Sequence, residues 1–113
     1  MLYSIDGDKI TKIPHKELYH FITDKIDSDE MEKIYIAIRK YIQNRDVFCS
    51  SHIPGEDWTG TPFQPIWEAT QNLEMAAMSF GLLVWDVILN VDENWCFIRN
   101  DESKGMTYFR KTT

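Results

Sequence analysis

Apolar side chains at Met31, Ile34, Tyr35, Ile38, Tyr41 and Ile42 follow three- and four-residue spacing, and this run constrains the fold more than any other feature. A helix repeats every 3.6 residues, so the six fall on one stripe, while Glu32, Lys33, Arg39 and Lys40 fall on the opposite face. A helix is therefore predicted over 29–44, capped by Asp27 or Ser28, with Glu30 three residues after Asp27 in the capping-box arrangement. Such a stripe must be covered by a second layer, and the rest of the chain has to supply it.

Ahead of this helix, 2–5 and 9–13 alternate apolar and polar residues around Asp6-Gly7-Asp8, a hairpin signal. Pro14 closes the hairpin, and Leu18, Ile22 and Ile26 recur every four residues, which predicts a helix over 15–26. Residues 46–63 show no sustained period beyond a short strand at 47–49, and they hold Pro54-Gly55 and Gly60-Thr61-Pro62. A third helix then runs from about Gln64 to Phe80, with Thr61 and Gln64 as a second capping box, Pro65 in its first turn and Gln71-Asn72 as a point where it can divide.

Residues 82–91 lose the helical period, being apolar on all sides except at Asp86. With Val84, Trp85, Val87, Ile88 and Val91 among them, they read as a buried strand. Strands at 95–99 and 106–111 complete a three-stranded antiparallel meander. The expected fold is a single α+β domain over 1–113: a hairpin, three helices, and one layer of sheet packed on them.

Charge is unevenly placed. Residues 1–45 hold eight bases and eight acids, 46–98 hold eight acids and no Lys or Arg, and 99–113 hold four bases and two acids. All four tryptophans (Trp58, Trp67, Trp85, Trp95) lie in the base-free stretch. Without bases it cannot release counterions from phosphates, so nucleic acid is not the expected partner even though 72–90 can be laid over a helix-turn-helix. The longest uninterrupted apolar run, 80–85, stops at Asp86, and no membrane-spanning segment is expected. Cys49 and Cys96 form no C-x-x-C pair, and unpaired thiols in a cytoplasmic protein are expected.

The loop holds the chemistry-bearing residues. Cys49 and His52 are the elements of a thiol-imidazole dyad, and His52, Glu56 and Asp57 offer one imidazole and two carboxylates to a divalent ion, though neither pattern is a known signature. His15 and His20, five apart, cannot share a helix face to add ligands. Trp58 beside Glu56 and Asp57 is either a ring that pins the loop or a partly exposed ring suited to a cationic partner, whereas Trp67, Trp85 and Trp95 read as core. Asp86 among apolar residues is expected to point to the solvent face of a half-exposed strand or to pair with Arg99 or Arg110 across the sheet, with a functional carboxylate in a pocket as the alternative.

The leading functional expectation is a small acidic, non-enzymatic interaction domain, of the inhibitor, immunity or anti-defence kind, that binds a basic protein partner through His52, Glu56, Asp57, Trp58 and Asp86. No cofactor motif is present. The alternative is a small enzyme or metal-binding domain centred on 49–63.

Overall fold

A computed structural model of the chain describes residues 1–50, 53, 57–99 and 106–111. In chain order the elements are β1 (Leu2–Tyr3), β2 (Lys9–Ile10), α1 (Lys16–Lys25), α2 (Ser28–Ile42), β3 (Val47–Cys49), α3 (Gln64–Thr70), α4 (Leu73–Asn90), β4 (Trp95–Arg99) and β5 (Met106–Arg110). The fold is α+β, with four helices and a mixed five-stranded sheet of order β2-β1-β4-β5-β3 among the described residues.

The hairpin forms at the Asp-Gly signal. Gly7 takes φ 94°, a left-handed value open to a residue without a Cβ, and Ser4 N–H donates to Asp8 O at 2.8 Å to close the turn. In α2 the stripe behaves as its spacing demands: Met31, Ile34, Ile38 and Ile42 are buried, and Asp27 accepts the Glu30 amide at 2.8 Å as N-cap. Around the start of α3, Thr61 Oγ1 accepts from Phe63 N–H, while the Gln64 side chain reaches back to Gly60 N–H rather than to Thr61. Gln71, left-handed at φ 50°, ends α3, and Asn72 caps α4 by accepting the Met75 amide at 3.0 Å. The division anticipated at Gln71-Asn72 is therefore real, and it makes the helices four.

Residues 82–91 correct the sequence reading: 73–90 form one continuous helix that passes through Gly81 without a turn. The predicted strand had rested on the absence of a polar face. A helix enclosed on every side needs no polar face either. In α4, Leu82, Leu83, Val84, Trp85, Val87 and Ile88 are all buried, because α1, α2 and α3 pack around the helix and the Trp85 ring meets Phe97 of β4 at 4.9 Å. By length and composition alone α4 would suffice to cross a membrane, yet half of it is buried inside this fold.

The meander is corrected with it. Only β4 and β5 form the antiparallel pair expected; β1 runs parallel to β4, and β3 lies antiparallel on β5. Phe48 pairs with Tyr108 across β3 and β5, and Tyr108 pairs with Phe97 across β5 and β4. Residues paired across neighbouring strands face the same way, so this aromatic row, with the Phe48 and Tyr108 rings stacked at 5.2 Å, forms the inner surface of the sheet.

Candidate binding sites

Helical placement of 82–90 puts Asp86 in the helix layer, away from the sheet arginines. Tyr19 of α1 donates its hydroxyl to Asp86 Oδ2 at 2.9 Å, and Tyr35 of α2 donates to the same oxygen at 2.7 Å. Asn90 Nδ2, one turn on, donates to Oδ1 at 3.1 Å and to the Asp86 carbonyl at 2.7 Å. Burial, and then the carboxylate that accepts its hydrogen, pushes the Tyr35 phenol far above its ordinary range. Burial raises Tyr19 as well. Arg110, expected as a partner of Asp86, instead donates to Ile42 O, Gln43 O and Arg45 O at the end of α2 and lies 3.7 Å from Asp46. Its guanidinium sits over the Trp95 ring, 4.8 Å from the centroid.

Asp86 stands at the wall of a cleft of about 620 Å³ between β2, α1 and the last turns of α4. Lys9, Lys12, Lys16 and His20 line its other sides. Trp85 Nε1 donates to Lys12 O at 3.0 Å, which ties the segment between β2 and α1 to the core helix. This site joins residues 9–20 to 86–90, a pairing that helical and strand spacings do not reveal because it depends on how α1 packs against α4.

The loop candidates resolve differently. His52 and Glu56 lie outside the described residues. Asp57 is exposed and accepts the Thr59 amide at 2.9 Å, a hydrogen bond that holds its carboxyl below the usual range. It thus serves the turn. Among the described residues, no three His, Cys, Asp or Glu side chains are placed to hold a metal ion. Of the two readings of Trp58, the structure has the ring that pins the loop and not the exposed one: it is 9% exposed, edge-on to Phe80 at 5.9 Å, with Phe63 on the same Phe80 ring at 5.0 Å. The chain before α3 is pinned by these rings to the core.

Trp67, by contrast, was expected in the core and is 42% exposed. Leu73, Met75 and Met78, on the first turns of α4, are 67%, 37% and 47% exposed. Glu68 and Glu74, next to Trp67 and Leu73 in the sequence, are exposed as well. Across on α2, the Glu30 carboxyl is pushed up, chiefly by its hydrogen bond with Asp27 and in lesser part by the charge of Glu68, so acids of two helices meet at this corner. The signal for it was present as Trp67, Leu73, Met75 and Met78 within twelve residues, but residues of this type are ordinarily core. No known family model, curated protein or solved structure matches the chain.

Proposed function

We propose that the protein is a non-enzymatic interaction domain, working in a reducing, cytoplasmic setting, that binds a basic amphipathic segment of a partner protein at the α2–α3–α4 corner. The observation that carries this is the exposure of Trp67, Leu73, Met75 and Met78 beside Glu68 and Glu74, in a stretch of chain that has no base from Asp46 to Ile98. Large apolar side chains gathered on a surface favour a partner that covers them, and methionine adapts its shape to what it meets. Carboxylates at the rim select a cationic partner and speed its approach. Nucleic acid fits poorly, since acids would face its phosphates. An inhibitor, immunity or anti-defence role suits a small domain that acts by occupying a basic surface, and this part of the reading is by analogy of form.

The partner's site moves from the loop to the corner, and the acids do not act as one surface. Asp46 pairs with Arg110, Asp57 serves a turn, Asp86 is engaged by tyrosines, and Asp92 and Glu93 lie past the far end of α4. That helix, at 18 residues, puts about 27 Å between its ends.

Titration of the isotope-labelled protein with a helical Leu/Lys peptide tests the proposal. Amide shifts should gather on α3 and the first turns of α4 and shrink with added salt, because screening lengths are about 8 Å at physiological ionic strength. Trp67→Ala with Met78→Ala should raise the dissociation rate, and Glu68→Lys with Glu74→Lys should slow association. Shifts centred elsewhere, or binding indifferent to both double variants, would overturn it.

A further inference from the structure

We propose that the cleft between β2, α1 and α4 is a binding site for a small phosphate monoester that carries hydroxyl groups, such as a sugar phosphate. The site takes its bases from Lys9, Lys12 and Lys16 and does not depend on the corner discussed above. Lys9, Lys12 and Lys16 line a cleft with one carboxylate, Asp86, so that among the lining side chains positive charges exceed negative by two in a protein whose net charge is −6. A phosphate monoester carries nearly two negative charges at neutral pH and balances that surplus, whereas a single carboxylate would not.

Other features of the cleft agree with this ligand. Its volume of about 620 Å³ lies within the range of small-molecule sites, about 300–1,000 Å³. Helix α1 begins at its rim, at Lys16, and no side chain caps its first amides, so N–H groups and the positive end of the helix add to the lysines. Glu17, in the same turn, does not line the cleft. At the opposite wall, Asp86 has both oxygens turned to donors: Oδ2 accepts from two tyrosines, while Oδ1 accepts, among the described residues, from Asn90 alone, and a carboxylate oxygen can accept a second bond. A ligand hydroxyl completes that set. Ile13 and Leu89 supply apolar surface between the anionic and hydroxyl ends. The floor is fixed in advance, since Tyr19, Tyr35 and the bond from Trp85 Nε1 to Lys12 O lock the three elements together before any ligand arrives.

The test is an amide-shift titration of the full chain with ribose 5-phosphate, with inorganic phosphate and free ribose as separate titrants. Saturable shifts are expected at 9–20 and 86–90 with ribose 5-phosphate, and binding about tenfold weaker or less for either half alone. Lys12→Glu with Lys16→Glu should weaken binding by about tenfold or more. Lys33→Glu with Lys40→Glu makes the same change in net charge outside the cleft and should leave it unchanged. Equal weakening in the two double variants would make the attraction a property of net charge and overturn the proposal. Absence of saturable shifts, or binding of inorganic phosphate as tight as that of ribose 5-phosphate, would overturn it as well.

Discussion

A carboxylate leaves water at low cost only where donors replace the water. At Asp86 those donors are Tyr19, Tyr35 and Asn90, so one side chain of α4 joins α1 and α2 through a single oxygen. Asp86→Ala strands two half-buried hydroxyls, and water recovers only part of their bonding; a loss of about 2 kcal/mol is expected in urea unfolding. Asp86→Asn keeps an acceptor and should lose less. In the background of Tyr19→Phe with Tyr35→Phe, Asp86→Ala should cost clearly less than in the wild type, since the hydroxyls it strands are already gone. The same network shapes the response to pH. Burial holds the folded phenols of Tyr35 and Tyr108 above the ordinary tyrosine value of about 10 that the unfolded chain adopts. Stability is therefore fully present below about pH 10 and falls as pH rises above it, because the unfolded state releases protons that the folded state retains. Urea midpoints measured at about pH 8 and about pH 11 should show that fall, and Tyr35→Phe should reduce it.

Among the elements, α4 organises the molecule, and its start depends on Asn72. Loss of that cap in Asn72→Ala is expected to cost about 1 kcal/mol, read as a lower unfolding midpoint with the fold retained. Strong sequential amide contacts by NMR through 83–89 should follow from the continuous helix. The amphipathic elements were legible in the sequence because each has one wet face. Leu18, Ile22 and Ile26 mark α1, the stripe of six marks α2, Asp27 sits where a cap is needed, and Gln71-Asn72 marks the division that the structure shows to be capped by Asn72. Helix α4 was not legible. Its second half is covered all round, so the contrast between polar and apolar faces that reports a helical period vanishes. Its β-branched residues then tipped the local reading toward a strand, a preference that packing overrides.

At the scale of the whole molecule, the sheet separates what the sequence left undetermined. Cys49 on β3 and Cys96 on β4 both neighbour β5, so two strand spacings, about 10 Å, lie between them, beyond the reach of a disulfide. The intact mass of the folded protein should be that of the fully reduced chain, and a value two daltons lower, from about one bond's loss of two hydrogens, would contradict this topology. Charge is sorted by the fold too. Glu30 of α2 and Glu68 of α3 meet at the corner that holds exposed Trp67, while Lys9, Lys12 and Lys16 line the cleft beside Asp86.

Local interactions leave their mark in local sequence. Turn residues at Asp6-Gly7, caps at Asp27 and Asn72, the strand at Val47–Cys49 and the core stripe of α2 all follow from neighbours within a few positions, and so does the α+β class. The partners of Asp86, the burial of Trp58 against Phe80, the exposure of Trp67 and the parallel placement of β1 on β4 join residues more than ten positions apart, or depend on what covers them. Side-chain type restricts such pairings but does not choose among them. The choice comes from packing, where α4 finds α1, α2 and α3 around it and turns each of its residues toward a particular neighbour.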